Sequence, residues 1–515
     1  MKNIASILEL AARDLPDSRA LIYNDGDSFS YKELNQLSNR VSNGLKSLGV
    51  GRGDKVAIML SNVPEWVAIW FGLTKIGAVL VPIGAFYKGE EVGYILQHAE
   101  VNTLFIEDQI VSVLEGVSSP YLKNVVVVGD IAGKDRGKGY VQFDRFIGAM
   151  DDQYIAVDVE PDDPCAIWYT SGTTRLPKGV LMSHFGFGSH TALVPEQIFS
   201  SPADIMLSGV PCSSIVSKVT IFGMVASRTP FVMLPRFSAK KALELIQSQK
   251  VTIFYGVPTM VLYLIDELEK DPASYNLDSL RLIIASAAPQ AEKDLQRLRE
   301  LLPDVVYLRF YGATETIGGM ANTHLSDYYM YGYLPYSVGR AVRGSEIKIV
   351  DEQGNEVPAG EQGELIWRGT GMMKGYLKEP ELTKKVLRNG YYYTGDLAKK
   401  DELGMVYITG RIDDVINCAG FKIFPKEVEE VLKDHPAVFD CAVVGVPDEV
   451  KGSIPKAWVV LNKDQQVTEK ELIDLCRSQM ANYKAPREIV FIDEIPRSAI
   501  GKVDKKRLSL KDRLA

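Results

Sequence analysis

The sequence predicts an α/β protein: a large N-terminal domain of mostly parallel sheets covered by helices, carrying a small β unit, followed by a small α+β C-terminal domain. Three observations lead there. Apolar, β-branched runs recur before Val338 ("KVAIML", "TLFIE", "NVVVVGD", "AIWYT", "VTIFYG", "RLIIAS", "VVYLRF"), with helical stretches such as "AKKALELIQSQK" and "AEKDLQRLREL" between several of them. Strands that are apolar along nearly their whole length are buried on both faces, the condition of a parallel sheet covered by helices. After Val338 the texture changes to alternating apolar and polar residues around Gly and Pro turns ("EIKIVDEQGNEVPAGEQGELIWRG"), the pattern of a small antiparallel unit. From near Gly410 a last segment is long enough to fold by itself. The predicted boundaries are therefore 1–410, including a β subdomain over 338–410, and 411–515.

Individual elements follow in order. Ser30-Tyr31-Lys32-Glu33 fits a capping box, and Leu34, Leu37, Val41, Leu45 and Leu48 continue at helical spacing until Gly49. The most apolar stretch, "WVAIWFGLTKIGAVLVPI" (Trp66–Ile83), has the length of a membrane span, but Lys75 sits in its middle and Gly72, Gly77 and Pro82 punctuate it. A buried helix followed by a buried strand is the reading. In the last segment, "PKEVEEVLKDH" reads as a helix with Pro425 in its first turn. The strands "CAVVGV" and "KAWVVL", the helix "EKELIDLCRSQM" and a lysine-rich end follow.

At 515 residues the chain is too long for one core. It is 46% hydrophobic and 24% charged with a net charge of −8, which gives no reason to expect nucleic acid or an anionic membrane as partner. Cys165, Cys212, Cys418, Cys441 and Cys476 are far apart and read as reduced thiols, and the five histidines show no metal-ligand spacing. "MKNIASILELAARDLPD" does not read as a signal peptide. A cytoplasmic enzyme is expected.

The chemistry concentrates in separate stretches. "YTSGTTRLPKG" (Tyr169–Gly179) combines glycines, hydroxyls and Lys178 in the manner of a phosphate-binding loop, although it does not match the common nucleotide-loop spacing. It follows a strand, at the edge where open α/β sheets bind ligands. "YGATET" (Tyr311–Thr316) offers an aromatic face, hydroxyls and a carboxylate able to hold Mg²⁺; a plain turn with Thr314 as cap and Glu315 in the first turn is the alternative. In "YTGDLAKKDELGMVYITGRIDD", Asp396 can accept both hydroxyls of a ribose and Arg411 supplies a fork of donors, while a surface salt bridge would account for the pair equally well. "PRSAIGKVDKKRL" places Lys502 after a flexible run, where a mobile charge can enter a cleft; Lys505, Lys506 and Arg507 read as a solvated basic tail.

Taken together and in this order, "YTSGTT.LPKGV", "YGATET", "YTGD", "GR.DD.I...GFKI.P.EVE" and "PR...GK" resemble the core motifs of the adenylate-forming superfamily. That superfamily includes acyl- and aryl-CoA synthetases, adenylation domains of peptide synthetases and beetle luciferases. The resemblance runs from about Phe29 to Arg507, and "YKAPREIVFIDEIPRSAIGK" is most similar to the AMP-forming acyl-CoA synthetases.

The resemblance implies a two-step reaction. A carboxylate attacks the α-phosphate of ATP to give an acyl-adenylate and pyrophosphate, and a thiol, usually that of coenzyme A, then displaces AMP. ATP, Mg²⁺ and coenzyme A are the implied cofactor and co-substrates. Thr170, Ser171, Gly172, Thr173, Thr174 and Lys178 are then expected around the leaving pyrophosphate, Thr314 at the α-phosphate and Glu315 on Mg²⁺. Tyr311 and Gly312 are expected against adenine, opposite Ala287, Ala288 and Pro289, with Asp396 on the ribose and Arg411 nearby. Lys502 is expected to bridge the carboxylate and the α-phosphate. The last segment is expected to turn about Asp413 as hinge, making the C-terminal domain mobile and bringing Gly420 and Lys422 to the thiol tunnel. Ser213, Ser214, Lys218, Tyr255, Gly256, Ser286 and Gly318 are the expected acyl-pocket residues.

The sequence departs from the family pattern in places. Arg175 stands where glycine is usual, and "ASAAP" (Ala285–Pro289) replaces a glycine-rich run. In "VPCSSIVSKVTIFGM", Ser213 and Ser214 stand where most relatives have an aromatic-His pair. Lys218 reads as solvent-facing, with a polar acyl group as its alternative partner. No insertion suggests a lipid tunnel, so a compact acid (short, medium-chain, alicyclic or aromatic) is expected, and a homodimer is compatible with the reading. The rivals are an adenylation enzyme that loads a carrier protein, a luciferase-type oxygenase and an inactive nucleotide-binding regulator.

Overall fold

The computed structural model describes residues 3–23, 26–131, 139–170, 177–419, 421–448, 451–463, 465–497, 503–505 and 507–509. Among these the strands form sheets of 14, eight and five members. The middle of the largest sheet is parallel: Arg19–Tyr23, Phe231–Met233, Met206–Ser208, Ile253–Gly256, Leu282–Ser286 and Val306–Tyr311 lie side by side in that order. The eight-stranded sheet has a parallel core of Val79–Pro82, Lys55–Met59, Val101–Glu107 and Asn124–Val128. Its strand Pro164–Thr170 runs parallel to Val79–Pro82 and turns back into Lys178–Ser183 as an antiparallel hairpin.

The β unit after Val338 is antiparallel, as its alternation predicts. It continues the large sheet. The two-residue strand Ala321–Asn322 pairs with Val306–Tyr311 on one side and with Ser337–Ala341 on the other. Ser337–Ala341 then pairs with Val406–Arg411, which pairs with Tyr391–Lys400. The strand carrying Tyr311 and the strands carrying Asp396 and Arg411 thus belong to one sheet.

The helix Tyr31–Ser47 begins with the predicted capping box: Glu33 N donates to Ser30 Oγ at 3.2 Å, and Glu33 Oε2 accepts from Ser30 N at 2.8 Å. The helix Pro64–Lys75 is buried along its whole length except Glu65, which explains its membrane-like composition. No helix among the described residues is long and apolar enough to cross a membrane. Gly72 lets this helix press on its neighbour, because a Cβ there would lie 2.8 Å from Ser38 O. Its Trp66 and Trp70 pack edge to face, and Trp70 meets Trp168, Phe187 and Phe222 at centroid separations of 4.5–5.8 Å. Each such pair adds about 1 kcal/mol beyond area burial. Lys75 is fully buried and reaches Asn35 and Asn39 at 2.6 and 2.5 Å.

The described residues between 416 and 508 build apolar clusters of their own. Ile416, Val428, Leu432, Val443, Val459, Leu472 and Ile489 share one apolar cluster, and Ala442, Trp458, Ile495 and Leu508 another. The helix Pro425–Lys433 has Pro425 in its first turn, as predicted. Lys505 is a correction to the solvated-tail reading. It is pulled back onto the domain by Asp414 and Glu429, each at 3.2 Å. Arg507 is exposed, and Lys506 lies outside the described residues.

Candidate active site

Tyr255, Gly256, Ser286 and Tyr311 sit at the C-terminal ends of parallel strands, where carbonyl ends and connecting turns face one edge of the sheet. Register aligns Gly256 with Ala285 and Ser286 with Phe310, so Tyr255, Ser286 and Tyr311 come to the same edge. Tyr255 donates to Ser286 Oγ at 3.2 Å and lies edge-on to Phe310. Just past the strand, Ala287 has φ +75°, a conformation glycine takes without strain. That gives a physical reason for glycine in this run and marks the alanine as strained. Ala288 is half-buried and Pro289 exposed.

After Tyr311 the chain makes a tight turn through Gly312, Ala313 and the short helical turn Thr314–Thr316. A Cβ on Gly312 would lie 2.6 Å from the Gly318 backbone, so only glycine lets the turn fold back on itself. Thr316, and not Thr314, makes the capping bond, accepting from Ala313 N at 3.1 Å. Thr314 and Glu315 are both half-buried.

Two side-chain groups meet around this turn. In the first, Tyr311 donates to Asp396 Oδ2 at 2.5 Å, and Arg411 Nη1 lies 3.1 Å from Asp396 Oδ1. Asp396 and Arg411 are cross-strand partners, and Arg411 also donates to Thr394 O at 3.2 Å. In the second, Tyr376 donates to Glu315 Oε1 at 2.8 Å while Lys178 Nζ stands 5.6 Å from the Tyr376 ring centroid. Tyr376 gets there because Gly375–Tyr376 adds to the hairpin strand Lys178–Ser183. Tyr392 lies between the groups. Its phenol is pushed up by burial and then by Glu315, Tyr376 and Asp396 together. The Tyr311 phenol is held well above its ordinary range by burial and by Asp396, and the Tyr376 phenol is raised by burial and Glu315. The Tyr311 and Tyr376 phenols stay protonated and keep donating to Asp396 and Glu315.

Lys218 is the second correction. It is 1% exposed and does not face solvent. Its Nζ donates to Ile317 O at 2.5 Å and meets His190 Nδ1 at 2.7 Å, and His190 Nε2 meets Gly319 O at 3.0 Å. Burial pulls the Lys218 amine down to about 7. His190 is lowered to about 3 by burial and by Lys218. Gly318, with φ +85°, sits over the pair. Ser213 and Ser214 are half-buried in the turn before Lys218, and Trp168 Nε1 donates to Ser213 O at 2.9 Å.

Thr170 and Lys178 are cross-strand partners flanking the predicted phosphate loop. Ser171, Gly172, Thr173, Thr174 and Arg175 themselves lie outside the described residues, as do Gly420 and Lys502. Asp413 is exposed in the turn Ile412–Asp414. Lys422 is exposed and paired with Glu352 at 3.0 Å. Sequence reasoning missed Tyr376, Tyr392 and His190, none of which stands in a recognisable motif.

Comparison with known proteins identifies the family. Residues 8–377 match the model of the AMP-binding enzyme family, and residues 427–502 match that of the AMP-binding enzyme C-terminal domain. A Bacillus subtilis (strain 168) protein named as an acyl-CoA synthetase, YngI, is 32% identical, covering 98% of this chain and 96% of its own. The 4-coumarate–CoA ligase of Vanilla planifolia is 30% identical over 93% of this chain and 88% of its own. The crystal structure of the anthranilate CoA ligase AuaEII with anthranoyl-AMP superposes with a TM-score of 0.90 at 28% identity, covering 99% of this chain and 97% of that one. Strand-end placement, motif order and these matches together make the chain a member of the AMP-binding enzyme family, an adenylate-forming enzyme of the AMP-forming acyl- and aryl-CoA ligase group.

Proposed function

We propose that this enzyme activates a compact carboxylic acid with Mg·ATP and passes the acyl group to coenzyme A. In the first half-reaction the carboxylate oxygen attacks the α-phosphorus, the bond to the β-phosphate breaks, and pyrophosphate leaves. In the second the thiolate attacks the acyl carbonyl and AMP leaves. The carboxylate is already a nucleophile, so the protein's task is to bring anions together and stabilise charge on the phosphates. The observation that carries this reading is the convergence of Tyr311, Asp396 and Arg411 with Glu315, Tyr376 and Lys178 around one turn.

In this reading the Tyr311 ring stacks the base while its hydroxyl holds Asp396 toward the ribose, with Arg411 beside it. Lys178 and the loop residues Thr170, Ser171, Gly172, Thr173 and Thr174 take the pyrophosphate. Glu315 fits a Mg²⁺ ligand: it is a hard oxygen donor, and among the described residues Tyr376 is the one bond recorded to its carboxylate, on Oε1. When bound, Mg²⁺ neutralises charge on the phosphates. Thr314 meets the α-phosphate, and Lys502 bridges it to the carboxylate. The C-terminal domain then turns about Asp413 to bring Gly420 and Lys422 to the thiol.

A compact acid is supported by the side chains packed at Ser213 and Ser214: Trp168 donates to Ser213 O, and Phe187 and Phe222 pack on Trp70 beside Trp168. The named acids of the ligases above, 4-coumarate and anthranilate, are compact and aromatic. We place the enzyme in the cytoplasm, where both ATP and coenzyme A are present. The test is pyrophosphate release from Mg·ATP across a panel of aromatic, alicyclic, short and long acids, with and without coenzyme A. Release with compact acids that proceeds to AMP and a thioester is the expected result. Release with long-chain acids alone would overturn the substrate class, and an adenylate that coenzyme A cannot discharge would overturn the acceptor.

A further inference from the structure

Beneath the turn that follows Val306–Tyr311 lies a buried pair that the chemistry above leaves without a task. Lys218 and His190 are 1% and 2% exposed. The lysine amine donates to Ile317 O at 2.5 Å and to His190 Nδ1 at 2.7 Å. Because Nδ1 accepts, the imidazole proton belongs on Nε2, which donates to Gly319 O at 3.0 Å. The pair therefore grips the carbonyls on either side of Gly318.

That stretch of backbone needs gripping. Ile317 has φ +53° and Gly318 φ +85°, and a β-branched residue in the left-handed region is an outlier that persists only where its surroundings over-determine it. The same backbone closes onto Gly312, and a Cβ on Gly319 would lie 2.5 Å from the His190 ring, so the pair is seated without slack. Lys218 belongs to the segment that leads into Val219–Gly223, and His190 to the helix His184–Thr191, so separate parts of the chain brace one turn.

We propose that Lys218 and His190 are positioning residues for adenylation: they hold the Ile317 and Gly319 carbonyls and thereby fix Thr314 and Glu315 in the shape that receives the triphosphate. The inference rests on reading this turn as the nucleotide site. A purely structural role would lower stability without singling out ATP. Lys75 provides the comparison, being as deeply buried but bonded to Asn35 and Asn39.

The experiment compares full-length wild type with Lys218→Met and Lys75→Met. It measures ATP–pyrophosphate exchange together with hydrogen–deuterium exchange of the peptide covering residues 311 to 322. Leaving a buried carbonyl without its donor costs five- to hundredfold in an equilibrium constant. The KM for Mg·ATP should rise by that factor in Lys218→Met, with the KM for the acid moving less than twofold, and amides of the 311–322 peptide should exchange at least tenfold faster. Lys75→Met should leave both constants and that peptide unchanged. If Lys218→Met does not fold, His190→Phe removes the Gly319 clamp and the link to Lys218 while keeping a ring, and the same changes in KM and exchange are expected of it. Equal rises in both constants, or a lower melting temperature with both unchanged, would overturn the proposal. A wild type without acid-dependent exchange would overturn the nucleotide reading and the adenylation role with it; hydrogen exchange alone would then decide whether the pair braces the turn.

Discussion

Tyr311 and Asp396, 85 residues apart in sequence, are joined by a 2.5 Å hydrogen bond from phenol to carboxylate. The ring that we assign to the base and the carboxylate that we assign to the ribose are therefore tied to each other, on strands of one sheet. Tyr311→Phe keeps the ring and removes the link. A hydrogen bond to a charged group is worth about 1.5–3 kcal/mol, so the KM for Mg·ATP should rise about tenfold or more with the acid KM unmoved. Asp396→Ala should cost more, because it also strips Arg411 of its partner. Exchange kinetics at saturating acid measure both.

Glu315 carries the metal prediction. Chelation of Mg²⁺ should abolish adenylation, and Glu315→Gln should raise the Mg²⁺ needed for half-maximal rate by about tenfold or more, as loss of a charged oxygen ligand implies. Tyr376→Phe removes a donor and leaves the carboxylate, so its shift should be smaller. A Mg²⁺ titration at fixed ATP in which the tyrosine change outweighs the glutamate change would contradict this assignment.

Separate assays of the half-reactions address Lys502 and Asp413. A positive charge ~4 Å from an anion is worth roughly 4 kcal/mol near a protein surface. Lys502→Ala should therefore slow adenylation by about a thousandfold yet retain thioester formation from supplied acyl-adenylate. Asp413→Pro should leave at least one half-reaction near normal while overall turnover falls. Equal loss of both steps in either variant would remove the corresponding role.

Lys218 also sets a pH dependence of stability. Burial lowers its amine from 10.5 to about 7, so between those values the unfolded chain binds the extra proton and the folded chain does not. This group's contribution to stability rises with pH across that window and is flat outside it. Denaturant titrations should accordingly show wild-type stability gaining on Lys218→Met between pH 7 and 10.5. A constant difference would mean that the amine keeps its ordinary affinity for protons.

Much of this was legible beforehand where chemistry demands particular residues at strand ends. Thr170, Lys178, Tyr311, Glu315, Asp396 and Arg411 stand out in sequence as types suited to phosphate, base, metal and ribose, and the fold brings Tyr311, Asp396 and Arg411 into contact. The alternation of buried strands and helices announced the parallel sheets for the same reason. What escaped depends on partners distant in sequence. Lys218, in the apolar run "SKVTIFGM", reads as a surface lysine because nothing nearby could satisfy it; its acceptors are His190, 28 residues earlier, and Ile317, 99 residues later. Lys505 misled in the same way, since Asp414 and Glu429 arrive only once the domain closes. Tyr376 reaches Glu315 through a two-residue strand, too short to leave any periodic trace. Ala321–Asn322, which welds the β unit to the main sheet, is equally short.

Among the described residues, polar ties link the last segment to the body. Lys422 meets Glu352 with side chains 60% and 81% exposed, Lys293 donates to Val438 O at 2.8 Å, and Lys426 donates to Ile408 O. An exposed ion pair contributes between about 0 and 1 kcal/mol and is screened within about 8 Å at physiological ionic strength. That ion pair sets almost no enthalpic barrier, whereas the part-buried lysine–carbonyl bonds contribute about 1.5–3 kcal/mol each. The pace of the proposed swing would then be set by release of the Lys293 and Lys426 bonds and by the backbone torsions at the pivot, and the resting orientation would pass to whichever ligand bridges the two parts.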